Sequence, residues 1–362
     1  MCLSPFRSHT WEVHPLMNKR IVVLTASAVL WGTYAFAADP PAAGDNPADH
    51  LPPHITRLTS FGERADWSHD GKRILFLSKT FGDAMEIDVA TRAIHNLTAH
   101  YPHYGYTRAL YLANGDVLLS GPESFDPRNA GAARQNCFLF VLDKSGTKPA
   151  APLGVSCSEG PAVSRRRLHV AWTTSGYAEA DRSWITEADV KYDEDGTPRL
   201  TNRKPVLDSG DLPFRCNLET QNFRPPDDRE LIFSAYNTSD DECDVCGVEL
   251  SSKKVTKYTD SPDDYDEPEG IYPDGQATLV ECDKQNGQGS RHVDLWKLSL
   301  DGRGRYERLT RFSDYPGYKA SNPVVSDDGR FIAFQLAKSG DAAGVGHGIF
   351  LYDVERAGQG ER

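Results

Sequence analysis

The sequence predicts an all-β fold, a six-bladed β-propeller in which each blade contains four strands. Paired apolar runs flank Asp-Gly turns, as in Ser321–Ala337, and Asp-Gly between two such runs indicates a β-hairpin. A Leu-Thr pair or a relative recurs from residues 58, 97, 153, 207, 258 and 309. A spacing of about 50 residues, filled by four short strands, is typical of one propeller blade. No stretch after residue 37 has the sustained periodicity of a helix.

Six sets of strands follow one another in the same order along the chain. The first strands, with their turns, are predicted at Ala65–Gly71, Ala109–Gly115, Pro161–Ser164, Thr220–Asp228, Gly270–Gly275 and Asn322–Gly329. The second strands are predicted at Ile74–Leu77, Val117–Leu119, Leu168–Trp172, Leu231–Ala235, Ala277–Val280 and Phe331–Phe334. The third strands are predicted at Ala84–Val89, Phe138–Leu142, Trp184–Val190, Val245–Leu250, Val293–Leu298 and Ile349–Tyr352. Each fourth strand ends at one of the Leu-Thr positions.

The last set has no fourth strand of its own, because the chain runs out after Asp353. Ile55–Thr59, at the other end of the repeat region, belongs to no other blade. We therefore expect this N-terminal strand to close the last blade, so that no sheet edge is left open for aggregation. The propeller is predicted to span residues 55–357.

The N-terminus has the pattern of a secretory signal peptide. Lys19-Arg20 precede an apolar run, Ile21–Trp31, and Ala35–Ala37 gives an A-x-A cleavage site. The prediction is a signal peptide over residues 1–37, cut after Ala37, and a periplasmic or secreted protein. Met17 makes a better start than the first Met, and residues 38–54 are predicted as a flexible lead-in. The alternative is a retained anchor, but the run is shorter than the roughly 20 residues that span a bilayer.

Charge limits the partners that this protein can bind. The 362 residues carry a formal net charge of −12, whereas nucleic acids and anionic membranes require a basic face. We therefore expect neither as a partner, and no membrane span once the signal is removed. The expected partner is a protein, or a small polar or carbohydrate ligand. We expect a monomer with no cofactor and no metal.

Six cysteines remain after signal removal, and an even count in an exported chain favours disulfide bonds. Six cysteines allow 15 complete pairings, and the sequence does not choose among them. Cys243 and Cys246 have the spacing of a redox motif, but they open a β-like run rather than a helix. Zinc binding and redox catalysis are therefore secondary alternatives. The predicted disulfide-forming residues are Cys137, Cys157, Cys216, Cys243, Cys246 and Cys282.

Several segments resemble the WD40-like (PD40) repeats of TolB-type propellers. They are Trp67–Gly71, Ser326–Gly329 and Ile349–Asp353, together with the recurring Leu-Thr pairs. Blades 3 and 4 depart from the pattern, because Arg165–Arg167 and Pro225–Asp228 stand where the Asp-Gly turn belongs. The resemblance covers roughly residues 55–355 and implies the fold. Such repeats occur in translocation accessory proteins, in the propeller part of prolyl oligopeptidases and in oligogalacturonate lyases. The sequence contains no G-x-S-x-G nucleophile elbow, which excludes the peptidase.

Propellers bind ligands at one mouth of the central channel, where the loops leading into the first strands converge with those between second and third strands. We call these the mouth loops. They are predicted to bring one polar residue per blade to equivalent places, namely Arg64, Arg108, Glu159, Glu219, Glu269 and Asn322. Such a mixed-sign ring could hold a polar ligand. The alternative is a self-neutralising lining of a water-filled channel.

Three histidines are also predicted to lie at this mouth: His103, His292 and His347. Converging imidazoles could hold a metal or act as the general base in β-elimination from a uronic acid, with Arg108 neutralising the carboxylate. The alternative is that each is an ordinary loop residue. Tyr104 and neighbouring tyrosines give the mouth loops an aromatic character that suits a sugar ring or a protein surface.

The acidic segment Asp260–Glu269 is predicted to be a solvated loop rather than a calcium site.

The sequence supports two hypotheses about the function. The leading hypothesis is an exported, TolB-like binding or protein-interaction module in the periplasm that uses the mouth face. The alternative is an enzyme, a uronate lyase of the oligogalacturonate type, with its histidines clustered at the channel mouth.

Overall fold

The structure is a computed structural model that describes residues 41–42, 44–158, 160–175, 182–237, 242–261 and 264–360. The predicted signal peptide, residues 1–37, and Glu159 lie outside the described residues. The strands form six separate sheets, each of four antiparallel strands. Five sheets follow chain order, and in the sixth the first strand of the chain lies at one edge. The predicted six-bladed, four-stranded propeller is confirmed.

The first three blades run from residue 63 to residue 208. Blade 1 contains β2 (Glu63–Trp67), β3 (Arg73–Leu77), β4 (Ala84–Asp88) and β5 (Ile94–Asn96). Blade 2 contains β6 (Arg108–Tyr111), β7 (Val117–Pro122), β8 (Cys137–Leu142) and β9 (Ala151–Cys157), with helix α1 (Ala130–Gln135) between its second and third strands. Blade 3 contains β10 (Ala162–Val163), β11 (His169–Ser175), β12 (Ser183–Tyr192) and β13 (Pro198–Asp208).

The other three blades complete the circle. Blade 4 contains β14 (Asn217–Phe223), β15 (Glu230–Tyr236), β16 (Cys243–Glu249) and β17 (Val255–Lys257). Blade 5 contains β18 (Asp266–Ile271), β19 (Ala277–Cys282), β20 (Asp294–Ser299) and β21 (Tyr306–Arg308). Blade 6 contains β22 (Tyr318–Val325), β23 (Phe331–Lys338), β24 (Ile349–Asp353) and β1 (Ile55–Arg57), and helix α2 (Val354–Gly360) follows it.

Strand β1 closes blade 6, as the strand count predicts. It pairs antiparallel with β24, with Ile55 opposite Tyr352 and Arg57 opposite Phe350. Ile55 is the one buried residue of this strand and packs into the core beneath it, whereas Thr56 and Arg57 are exposed. Closure therefore joins the two ends of the repeat region through backbone hydrogen bonds and one apolar anchor.

The core lies between neighbouring blades, where the apolar faces of two sheets interdigitate. Trp67, Phe76 and Ile87 of blade 1 pack with Ala333 and Ile349 of blade 6 in one buried cluster. Successive side chains of a strand point to opposite faces of the sheet. Runs of consecutive apolar residues therefore supply both faces, and each face packs against one neighbouring blade. The wedge-shaped stack leaves a channel along the central axis.

Four of the innermost strands contain a β-bulge. The register shifts at the same depth in β2, β14, β18 and β22. Two of the bulge residues, Arg64 and Asn322, have left-handed backbones with φ of 52° and 49°. A bulge turns a side chain out of the regular alternation. Here it directs polar side chains away from the inter-blade core.

Two segments differ from the sequence-based description. Asp266–Ile271, the end of the predicted acidic loop and the start of the next predicted strand, is the innermost strand of blade 5, so Glu267 and Glu269 are not solvated loop residues. Part of the predicted lead-in forms a 3-10 turn at Pro47–Asp49, beside which Leu51 packs on the core. Among the described residues, no helix is long and apolar enough to cross a membrane.

Candidate functional site

The central channel encloses a cavity of about 270 Å³. The first strand of each blade, or the loop beside it, contributes to the wall, which is why the cavity exists only in the closed propeller. Apolar wall residues include Val163 and Ile271. The polar residues facing the cavity include Asp66, Arg108, Arg165, Gln221, Glu269 and Asn322.

An arginine crosses the channel at its mouth. Arg108, at the start of β6 in blade 2, places Nη2 3.6 Å from Glu219 Oε1 in blade 4 and 3.6 Å from Glu269 Oε2 in blade 5. Asn322 of blade 6 donates from Nδ2 to Glu269 Oε1 over 2.7 Å. The predicted ring thus comes together for these four residues, and its charges are paired with one another.

Gly160 provides the space for this arrangement. Its φ is +95°, and a Cβ atom at this position would lie 2.4 Å from Glu219 Cγ. Any larger residue here would displace the Glu219 side chain from the channel, in addition to the strain of a left-handed backbone. The glycine follows directly after Glu159, the blade 3 member of the predicted ring.

Three carboxylates stand together behind Arg108. One oxygen each from Glu267, Glu269 and Glu281 lies within 4.8 Å of the others. The hydroxyls of Tyr236 and Tyr265 both hydrogen-bond to Glu267. Burial, together with the negative charges of Glu281 and Glu219, raises the pKa of Glu267 to about 8.

The same causes act on Glu269. Burial raises its pKa well above the ordinary value, and the charge of Arg108 only partly offsets that rise. Glu281 is held by blade 6, because Ser321 Oγ and the Asn322 backbone N–H each donate to its Oε1 over 2.7 Å. The sequence predicts an apolar strand over Ala277–Val280, and Glu281 follows it directly. That glutamate is only 3% exposed.

A second arginine crosses the opposite end of the channel. Arg165 of blade 3 lies 3.3 Å from Asp66 Oδ1 in blade 1 and 2.8 Å from Asp327 Oδ1 in blade 6. It also donates to the Trp67 carbonyl over 2.7 Å, and His69 Nδ1 lies 2.9 Å from Asp327 Oδ2. Burial raises the pKa of Asp66, although the Arg165 charge acts against that rise.

Arg64 does not join the Arg108 group. Its side chain is buried beside Glu63 of its own blade, with Nη1 3.5 Å from Oε1. Its backbone N–H donates to Gln335 Oε1 of blade 6 over 2.7 Å. Tyr104 is 54% exposed on a mouth loop, so it is available to a partner but takes no part in the channel.

The three predicted histidines do not form a cluster. His103 Nε2 lies 3.0 Å from Asp83 Oδ1, and its Nδ1 accepts from the Gly105 N–H over 2.9 Å. His347 Nε2 lies 2.6 Å from Asp341 Oδ2. His292 ends a short 3-10 turn. Across the described residues, the three-carboxylate group is the only set of three or more His, Cys, Asp or Glu ligand atoms that meets within 4.8 Å.

All six predicted disulfide cysteines are buried. Cys137 of β8 lies directly opposite Cys157 of β9 in the register of blade 2. Cys216 and Cys246 belong to one core cluster, whereas Cys243 and Cys282 belong to two others. Disulfide formation is not shown and stays a prediction.

Sequence reasoning missed both the carboxylate group and the second arginine, although each left a signal. Arg165 opens a run of three arginines where other blades have an Asp-Gly turn. Glu281 interrupts an apolar strand, and a carboxylate at such a position is rarely buried without partners. Arg165 meets its partners in blades 1 and 6. The three glutamates all belong to blade 5, where Glu267 lies opposite Glu281, but the sequence alone does not fix that strand register.

Comparisons with known proteins find similarity to solved structures only at low sequence identity. No protein family model and no curated protein matches the chain. The putative TolB of Agrobacterium tumefaciens is 15% identical with a TM-score of 0.37, over 79% of this chain and 78% of that chain. TolB of Acinetobacter baumannii is 17% identical with a TM-score of 0.44, over 80% of this chain and 65% of that chain.

One solved enzyme is similar to a comparable degree. The oligogalacturonate lyase of Vibrio parahaemolyticus is 13% identical with a TM-score of 0.49, over 82% of this chain and 79% of that chain. At such low identity the likeness concerns the fold alone. The strands and the channel define the class of this protein, a six-bladed β-propeller whose solved neighbours include TolB-type propellers.

Proposed function

We propose that this protein is an exported binding module that holds a small, neutral, polar ligand in its central channel. The observation that carries the proposal is the cavity of about 270 Å³, lined by all six blades and crossed at its ends by Arg108 and Arg165. This volume lies just below the range of about 300–1,000 Å³ for drug-sized ligands, so it suits one sugar ring or a similar molecule.

The charges of the site favour a neutral ligand. Arg108 is paired with Glu219 and Glu269, and Arg165 is paired with Asp66 and Asp327. An anionic ligand would have to take an arginine away from one of these pairs, which leaves a buried carboxylate without its counter-charge. Hydroxyl groups can instead exchange hydrogen bonds with the channel amides without breaking an ion pair.

The same geometry argues against the lyase alternative. His103 contacts Asp83, which lies in a different loop, and His347 contacts Asp341 of its own loop. Arg108, the residue predicted to neutralise a uronate carboxylate, already faces two glutamates. Across the described residues, no histidine belongs to a group of three or more potential ligand side chains. A protein partner on the mouth face stays a prediction, which Tyr104→Ala would test by loss of binding.

Calorimetric titration of the mature chain with neutral monosaccharides, and with the matching uronic acids, tests the channel proposal. The expected result is saturable binding of a neutral sugar that Val163→Phe abolishes, because Val163 lines the cavity. Ile94→Phe, on the exposed outer strand of blade 1, is the matched control and should bind normally. Equal binding by both variants, or binding of the acids alone, would contradict the proposal.

Export is tested separately, because it rests on the sequence of residues 1–37. The expected result is a protein in the periplasmic or secreted fraction whose first residue is Ala38. Recovery of the uncleaved chain in the membrane fraction would instead favour the retained anchor.

A further inference from the structure

The group formed by Glu267, Glu269 and Glu281 places three carboxyl groups together at one point of the channel mouth. A fourth carboxyl group, that of Glu219, shares Arg108 with Glu269. Charges of one sign cannot share a buried site unless they take up protons or bind a cation. The tyrosine hydroxyls supply hydrogen bonds but no charge.

A second observation at the same place points to a ligand. Asn322 is 7% exposed, and its Oδ1 has no hydrogen-bond partner within the described structure. The nitrogen of the same amide donates to Glu269, so this side chain already contacts the carboxylate group. A buried acceptor left without a donor costs about 1–3 kcal/mol in a folded protein. A bound cation satisfies an oxygen of this kind.

Backbone geometry and backbone contacts fix the positions of Glu269, Asn322 and Glu281. Glu269 and Asn322 are bulge residues of neighbouring innermost strands, and bulges occur preferentially beside functional sites. Asn322 also tolerates its left-handed φ of 49° better than most residues would. Glu281 is fixed by Ser321 and by the Asn322 N–H through Oε1.

We propose that Glu267, Glu269, Glu281 and Asn322 Oδ1 form a calcium-binding site at the channel mouth. All four ligands are hard oxygen donors, which suit Ca²⁺, Mg²⁺ or Mn²⁺ and not the sulfur- and nitrogen-seeking metals. Ca²⁺ takes six to eight oxygens in flexible geometry, and three carboxylates plus an amide leave room for water. A cation here would brace blades 5 and 6 against each other. The inference goes beyond the proposed function, since it concerns a structural ion rather than the channel ligand.

The test uses the mature full-length chain, stripped with a chelator, with no sugar present. Calorimetry with Ca²⁺ should show one site per chain, with a dissociation constant of about 1 mM or tighter, as in extracellular modules. Terbium should bind in its place and luminesce on excitation of tyrosine, because Tyr236 and Tyr265 contact Glu267. Calcium should also raise the melting temperature.

Variants decide whether the ion sits at this site. Glu281→Gln and Glu267→Gln should weaken binding about tenfold or more, because each removes one charged ligand. Asn322→Asp should strengthen binding and lower the melting temperature of the calcium-free protein. Glu230→Gln is the matched control, since this glutamate is likewise bonded to a tyrosine hydroxyl, that of Tyr258, but lies outside the group.

Two results would overturn the proposal. One is the absence of any heat or shift in melting temperature with calcium up to about 10 mM, well above the weakest calcium modules. The other is a calcium response that is the same in Glu281→Gln, Glu267→Gln and wild type. A preference for Mg²⁺ would refute the assignment of the ion to calcium. Sugar titrations run afterwards, with and without calcium, keep failure of this site distinct from failure of the channel proposal.

Discussion

Replacing Arg165 with Met is expected to destabilise the propeller mainly through the aspartate that it leaves behind. Asp66 is 3% exposed and lies 3.3 Å from the guanidinium, whereas Asp327 is partly exposed and keeps His69 as a partner. Removing one member of a buried ion pair typically costs about 3–5 kcal/mol. The Arg165 side chain is 24% exposed, so water offsets part of this cost. We expect a loss of about 2–3 kcal/mol in the free energy of unfolding.

A double-mutant cycle measured by urea unfolding at pH 7 isolates the pair. Asp66→Asn removes the charge that Arg165 compensates, so the double variant should be about 1–2 kcal/mol more stable than the sum of the single effects. Arg199→Met is the control, because its pair with Asp193 is about half exposed and should contribute less than about 1 kcal/mol.

The pH dependence supplies a second check on the same variant. Burial raises the folded-state pKa of Asp66 above its unfolded value, and without Arg165 it should rise further. A carboxyl of this kind destabilises the fold when it is charged, so the deficit of Arg165→Met should shrink as the pH falls below 7. Purely additive effects in the cycle, together with a pH-independent deficit, would refute the assignment of Arg165 as the buried counter-charge.

Three further predictions concern closure, pH and oxidation. Ile55→Ala should cost about 2–4 kcal/mol in urea unfolding, because Ile55 is the buried anchor of the closing strand, whereas the exposed Thr56→Ala should cost little; equal effects would exclude that anchor role. Burial acts to lower the pKa of His169, but its hydrogen bonds to Glu187 and Asp189 outweigh burial and raise that pKa. The contribution of His169 to stability should therefore be complete below about pH 6.5 and be lost as the pH rises through the folded-state pKa. A His169→Gln deficit that grows with pH would contradict this sign. Non-reducing peptide mapping of the exported protein should recover Cys137 linked to Cys157, because they face each other on adjacent strands; exclusive linkage of either to another cysteine would refute it.

The number of blades, the order of strands and the closing role of Ile55–Thr59 follow from the sequence alone. These features are local: an Asp-Gly turn needs only its own residues, and a repeat count needs only the order of the chain. Even the departure from the pattern at Arg165 is visible, although its reason is not. The predicted ring succeeded for Arg108, Glu219, Glu269 and Asn322 because propeller symmetry places equivalent loops at one mouth.

Which side chains contact one another depends on the tertiary structure. A bulge of one residue turns Glu269 and Asn322 toward the channel, and the sequence carries no sign of a bulge at those positions. Arg108 and Arg165 find their partners across the axis, in blades that are distant along the chain, so their pairing depends on the diameter of the closed ring. The same geometry places His103 beside Asp83 and His347 beside Asp341. Closure of the propeller therefore converts a scattered set of charged residues into two buried ion-pair groups and one candidate cation site.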